Sequence, residues 1–386
     1  MDFDIVIVGA GLVGASFAMA LRGAGLKLAL VEARAPATAG GDWDSRVYAI
    51  SPGSAAFLDG MGVWKRLDQA RINPVHEMQV YGDAAGAQLQ FSAYESGVPE
   101  LAWTVENRRL QSVLWQGLAQ QHDLELVCPD DCAALQLRAD AAELTLASGR
   151  TLRAKLVVAA DGKHSWVRQA AGIAAREKPY GQMGVVANFT CAGEHHNTAY
   201  QWFRDDGVLA YLPLPGQRMS MVWSTPDKHA AELLALEPQA LCARVAEAGK
   251  DALGKLELLS PAAQFPLARQ HAARLAAPRI TLIGDAGHVL HPLAGQGVNL
   301  GFGDAAALAR VLLQRESFRD PGELRVLRRY ERARAEDILA LAWVTDGLQK
   351  LFAAPGGAAA KLRNTGLNLT NALPVLKNLL IRRALG

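Results

Sequence analysis

Asp4-Ile5-Val6-Ile7-Val8-Gly9-Ala10-Gly11-Leu12-Val13-Gly14 opens the chain. The apolar, β-branched run 4–8 has the character of a central parallel strand, buried on both faces. It leads without a spacer into G-x-G-x-x-G. Residues 15–21 are small and apolar and predict a helix. Gly25 ends that helix, 28–31 predict a second strand, and Glu32 closes it. In such a unit Gly9 allows a tight turn and Gly11 lets a pyrophosphate approach the backbone. Gly14 allows close helix–strand packing, and Glu32 accepts from a ribose hydroxyl. A lone glycine fingerprint is a weak signal. Strand, helix, second strand and terminal acid in the right order make this a dinucleotide-binding unit, and the acid suits an adenosine ribose without a 2′-phosphate.

A second stretch has the same grammar. Residues 279–283 predict a short buried strand, followed by Gly284-Asp285-Ala286-Gly287-His288. Then comes His291-Pro292-Leu293-Ala294-Gly295-Gln296-Gly297-Val298-Asn299-Leu300-Gly301. Asp285 falls at the strand's C-terminal end, where open α/β sheets bind ligands. Gly295, Gly297 and Gly301 let backbone approach something flat and bulky. From Val298 the pattern turns helical through Asp304, Leu308 and Leu312. A helix N-terminus there favours an anion, such as the pyrimidine edge of a reduced flavin. An ordinary strand–turn–helix crossover remains the alternative on this stretch alone. Between the two, strand 155–160 ends in Asp161-Gly162, again a ligand position or a plain turn, with Ser165 and Arg168 following. Residues 33–50 predict a loop that carries Arg46-Val47-Tyr48-Ala49-Ile50-Ser51. Glu106-Asn107-Arg108 starts a helix predicted over 107–121.

Together these pieces resemble the class A flavin monooxygenases, the para-hydroxybenzoate hydroxylase-like group, and within it the ubiquinone-biosynthesis hydroxylase family. The likeness covers essentially the whole chain, and its most specific part is 291–301 with Asp304. It implies an α/β fold: a Rossmann-like FAD-binding domain of the glutathione-reductase type, an inserted antiparallel β-sheet substrate domain, and C-terminal helices. It implies bound FAD, held by Gly9, Gly11, Gly14, Glu32 and Asp285, with Pro292, Gly295, Gln296, Gly297 and Asn299 as a second cradle. Arg46 would lie beside the flavin. Arg108 would help hold FAD, leaving Arg109 at the surface. Asp161 would lie near FAD and the route of NAD(P)H. The implied cycle runs from NAD(P)H through a C4a-hydroperoxyflavin to hydroxylation of a polyprenylated phenol or quinol by O₂, with other ubiquinone-biosynthesis proteins as possible partners. A hydroxylase of a small soluble phenol, a flavin reductase of isoprenoid lipids, and a non-catalytic FAD-bearing scaffold stay open as alternatives.

The rest of the sequence narrows the class. The 386 residues carry a net charge of +2, which leaves no global footprint for nucleic acid. Cys128, Cys132, Cys191 and Cys242 form no C-x-x-C pair, which argues against a disulfide-reductase flavoprotein and for a reducing compartment. No Ser/His/Asp triad or carboxylate pair stands out. His288 and His291 are too few for a metal, so no metal and no catalytic side chain is expected and the chemistry falls to the cofactor.

A hairpin is predicted over 78–91, and strands over 124–127, 133–137 and 143–146. Further strands over 184–190, 199–203, 208–212 and 218–223 imply an antiparallel sheet that covers a substrate cavity. Trp202, Phe203, Tyr211, Met221 and Trp223 are candidates to line it or to pack in the core. Residues 230–248 predict one helix, and 256–265 a return towards the nucleotide half. The expected division is 1–72, 101–177 and 270–330 for FAD, 73–100 and 178–269 for the sheet, and 331–386 as a C-terminal helical segment. With its first strand starting by residue 4 and no long apolar run, the protein is expected in the cytoplasm, or docked peripherally on the inner face of the membrane. Docking is suggested by the basic, amphipathic pattern of 375–385, where Val375, Leu376, Leu379 and Leu380 alternate with Lys377, Arg382 and Arg383.

Overall fold

The computed structural model describes residues 1–37, 40–82, 86–290 and 297–353, the last part (342–353) by backbone alone. Pro292, Gly295 and Gln296 therefore lie outside the described residues, as does the amphipathic segment 375–385.

Two sheets organise the described chain. The first is mainly parallel. Its strands run in the order Ile280–Leu282, Thr151–Ala159, Phe3–Val8, Leu28–Val31, Leu124–Val127. Phe3–Val8 pairs in parallel with Leu28–Val31 on one side and Thr151–Ala159 on the other. The chain reverses its direction of growth at this strand, so the crevice at its C-terminal end is a topological switch point, where open α/β sheets take ligands. The strand is almost entirely buried, which accounts for its unbroken apolar sequence.

The second sheet is built on the long strand Ala175–Cys191, which pairs antiparallel with Arg218–Pro226 on one side and Ala263–Ala272 on the other. Gly207–Leu214 and Thr198–Arg204 extend it, and the hairpin Glu77–Tyr81 and Gln88–Ser92 adds to the far edge. The expected hairpin and the four expected strands are thus all present in one sheet. Residues 256–265 differ from expectation. Leu256–Leu258 and Ala263–Ala272 both pair with Ala175–Cys191, so the chain stays in the second sheet until Ala272.

Two further departures have different causes, one local and one remote in sequence. The single helix predicted over 230–248 is two helices, Asp227–Leu234 and Pro238–Ala248. Pro238 takes the first helical position, and Glu237 before it is extended at ψ 151 because the proline ring disfavours helix there. Within the loop predicted over 33–50, Val47–Ile50 is a strand paired with Ala102–Glu106. The pairing partner is remote in sequence, so local composition did not show it. The helix Leu324–Ala353 also runs across the expected boundary at 330, and Tyr330 and Glu331 tie it to the first sheet through Leu282 O and Leu275 N. Among the described residues no helix is long and apolar enough to cross a membrane.

Candidate functional site

The C-terminal ends of four neighbouring parallel strands carry the expected motifs side by side: Asp285, Asp161, the Gly9–Gly14 loop and Glu32. Gly9 is at φ +99, and a Cβ there would lie 2.4 Å from Ala160 O, so the loop passes directly over the neighbouring strand end. At Gly14 a Cβ would lie 1.9 Å from Gly9 O, which makes that glycine a packing requirement. Gly11 is different, because no atom of the described residues lies within 4 Å of its Cβ position. It stands at the N-cap of helix Leu12–Ala20, whose first amides have no side-chain cap. Open space, free amides and the positive end of a helix dipole suit a phosphate.

The loop is held from two sides. Glu32 Oε2 accepts from Ala10 N at 2.7 Å, and Trp115 Nε1 donates to Ala10 O at 2.9 Å. Glu32 was expected here as a ribose acceptor, and the motif did not foretell its bond to the loop amide. Trp115 was not foreseen at all, because its place on the helix Asn107–Leu118 reads as ordinary amphipathic packing.

Asp285 sits in the short turn Gly284–Ala286 and makes no hydrogen bond among the described residues. Its side chain is open to solvent yet ringed by protein, as in the wall of a cleft. This enclosure pushes its carboxyl above the usual range, against the pull of His288 and Arg46. Tyr48 feels the same surroundings: burial raises its phenol, with Arg46 opposing and Asp285 reinforcing. Arg46 itself is exposed, and its side chain makes no hydrogen bond among the described residues. Arg46, Tyr48 and Asp285 thus form one electrostatic neighbourhood drawn from distant parts of the chain.

The segment bearing Arg46 is anchored. Asp44 accepts from Arg46 N at 3.0 Å and from Arg108 N at 3.0 Å, and its backbone oxygen accepts from Asn188 Nδ2 at 2.8 Å. Glu106, 1% exposed, accepts from Asp44 N and takes Arg71 through both oxygens at 2.8 Å. Such bidentate pairs set geometry as well as charge. Arg71 also covers the Trp43 ring at 3.7 Å. Arg109 was expected at the surface. Instead its side chain pairs with Glu106 at 3.0 Å and is 22% exposed against 36% for Arg108, because the buried carboxylate draws it in. Arg108, the more open of the two, lies 3.4 Å from Asp44.

Asn299 is 9% exposed and clamps the second cradle to this segment: Oδ1 accepts from Ser51 N at 3.0 Å and Nδ2 donates to Ala49 O at 2.9 Å. Gly301 has a packing role, since a Cβ there would lie 2.5 Å from Val13. Gly297, like Gly11, has no described atom near its Cβ position. Asp161 Oδ2 accepts from Val167 N at 3.0 Å, while Oδ1 has no partner among the described residues. Burial raises its carboxyl. Arg168 donates to Lys163 O at 3.1 Å and Ala286 O at 2.9 Å, joining the Asp161 loop to the Asp285 turn.

Strand alternation assigns the faces of the second sheet. Trp202, Tyr211, Met221 and Trp223 pack with Leu233, Leu241 and Val245 against the two covering helices, and Phe203 packs with Val80 and Leu89 of the hairpin. None is free to line a cavity beside the cradle. The opposite face carries smaller groups: Val186, Val222 and Ala210 are in register, and Asn188, Ser220 and Leu212 form the next row. Asn188 bonds Asp44 O, so this face is turned towards the segment bearing Arg46.

An anion cradle at a switch point, a second helix N-terminus beside it, and a half-enclosed acid between them suit a dinucleotide flavin. The chain belongs to the FAD-binding family whose model, described as FAD binding domain, matches residues 2–342. It is an FAD-dependent monooxygenase. It is 35% identical to 3-demethoxyubiquinol 3-hydroxylase of Escherichia coli (strain K12), over 99% of this chain and 98% of the relative. It is 34% identical to ubiquinone hydroxylase UbiL of Rhodospirillum rubrum, over 99% and 89%. Its fold matches p-nitrophenol 4-monooxygenase PnpA of Pseudomonas putida DLL-E4 at TM-score 0.79, covering 99% and 98% of the two chains at 18% identity.

Proposed function

We propose that this protein hydroxylates the aromatic ring of a polyprenylated phenol or quinol in ubiquinone biosynthesis, with electrons from NAD(P)H and oxygen from O₂. The observation that carries this is the whole-chain likeness to 3-demethoxyubiquinol 3-hydroxylase, together with a site built around backbone and apolar surface. When bound, FAD supplies the redox chemistry that takes hydride from the nicotinamide and activates O₂.

The chain's own residues bind, orient and enclose. Gly11 with the amides of helix Leu12–Ala20 would take the pyrophosphate, Gly9 and Gly14 would let the loop pack closely enough to present it, and Glu32 would take the adenosine ribose. Asp285 accepts from the ribitol hydroxyls. Arg46 and Arg108 balance the cofactor's negative charge, and Asp161 borders the nicotinamide route. Gly297 and Asn299 would line the flavin cradle, and the sequence motif adds Pro292, Gly295 and Gln296 to it. The small-residue face of the second sheet, with Val186, Ala210, Leu212 and Val222, roofs the ring and keeps water from it. A very hydrophobic substrate gives peripheral docking a purpose, and the basic pattern of 375–385 supports it.

The test is turnover with NAD(P)H, ¹⁸O₂ and a prenylated phenol. One labelled oxygen is expected in the product, and label from water overturns the proposal. Mass spectrometry of quinone intermediates in a deletion strain is expected to show one lacking a single hydroxyl. Loss of flotation with anionic liposomes is expected when the chain is truncated after residue 370, and unchanged binding removes that segment from the docking role.

A further inference from the structure

Beneath the Asp285 turn lies a buried charged cluster. Asp304 is 0% exposed. Its Oδ2 accepts from Gly284 N at 2.9 Å and lies 2.6 Å from His288 Nε2, while Oδ1 accepts from Arg334 Nε at 2.8 Å. Arg334 also donates to Leu300 O at 3.3 Å and pairs with Asp337. Burial alone would raise the Asp304 carboxyl, but His288 and Arg334 outweigh it and hold the group below the usual range. Asp304 is therefore an acceptor, and His288 donates to it.

Gly284 is at φ +59, in the left-handed region. A glycine moves between left- and right-handed regions at little cost, so its own conformation does not settle where the next residue points. A fixed acceptor on its amide does. Asp304 bonds the residue before Asp285 and also the side chain of His288, just beyond the turn. It therefore spans the turn that presents Asp285. A buried ion pair contributes little net stability against its desolvation, so stability alone does not account for this cluster.

We propose that Asp304 is a positioning residue for the flavin cofactor: by joining Gly284 to His288, under the grip of Arg334, it aims the Asp285 carboxylate. This rests on Asp285 meeting FAD. The test is a double-mutant cycle on FAD affinity, read by quenching of flavin fluorescence on the apo-protein. Asp285→Ala is expected to raise the Kd by about ten- to hundredfold, as for loss of a charged acceptor. Asp304→Asn is expected to raise it by about fivefold or more. The double variant is expected to bind no more weakly than Asp285→Ala within about twofold, because sites acting through one group are not additive. Multiplying effects overturn the positioning role while leaving Asp285 as an FAD contact. An unchanged Kd in Asp285→Ala overturns that contact instead, and the positioning role falls with it. If Asp304→Asn does not fold, Arg334→Lys carries the same cycle, since it loosens the carboxylate without touching Gly284.

Discussion

The two cradles follow the same plan of strand, glycine turn and helix, yet they are held in different ways. The first is held mostly by local backbone geometry: Gly9 and Gly14 fit only because they lack side chains, and Glu32 reaches the loop from the next strand. The second is held by side chains from far along the chain. Asn299 bonds the segment at Ala49 and Ser51, Arg168 bonds Ala286, and Asp304 with Arg334 bonds the turn itself. The electrostatics differ within the second cradle as well. Asp304 has donors on both oxygens and is held low, while Asp285 has none among the described residues and is held high. An acid with no donor among the described residues, beside one fully satisfied, is the arrangement expected where a ligand supplies the missing donors.

The sharpest way to break this comparison lies in the first cradle. Gly14→Val places atoms into the Gly9 carbonyl, and its expected cost is at or above about 3 kcal/mol, the upper range for overpacking. The protein is expected to be recovered unfolded. Gly11→Val meets open space and is expected to fold with an unchanged apo melting temperature, yet to purify without yellow flavin. Stoichiometric flavin in Gly11→Val would show that the cradle is misassigned.

Asp285→Ala is next in size, with a loss of roughly 1.5–3 kcal/mol in FAD binding measured by titration of the apo-protein. Trp115→Phe removes one neutral hydrogen bond to Ala10 O and keeps a smaller aromatic ring in its place, so its expected loss is about 0.5–1.5 kcal/mol. A loss as large as that of Asp285→Ala would mean that the first cradle depends on remote side chains as strongly as the second.

The smallest effect concerns pH. The folded Asp285 carboxyl is raised, so its contribution to apo stability is full below the unfolded value of about 3.9 and is lost as pH rises through the raised value. Asp285→Asn is expected to melt higher than the wild-type apo-protein at neutral pH, with the difference vanishing near pH 4, while binding FAD more weakly. Equal melting curves at both pH values would show that Asp285 is not held unsatisfied. Asp304 has the opposite sign: its stabilisation is present above the unfolded value and is lost as pH falls through the lowered one.

Periodicity and glycine spacing alone predict the parallel unit, the position of Glu32 after its strand, the strand end at Asp285 and the antiparallel sheet. Each depends on chemistry within a short window: β-branched runs form buried strands, and a residue without a side chain is needed where backbones touch. Other features depend on which residues meet across the fold, which no local pattern records. The strand Val47–Ile50, the inward turn of Arg109 to Glu106, the seating of Trp115 on Ala10 and the Asp304–His288–Arg334 cluster are of this kind. So is the face of the second sheet that meets the cradle. Alternation allows either face, and packing of Trp202, Tyr211 and Trp223 against two helices left the small-residue face turned towards the segment bearing Arg46. The sequence by itself determined a flavin-binding fold and the ends of the strands that serve it. Only the tertiary structure decided how the acids at those ends are held, because burial and distant partners set their charge and aim.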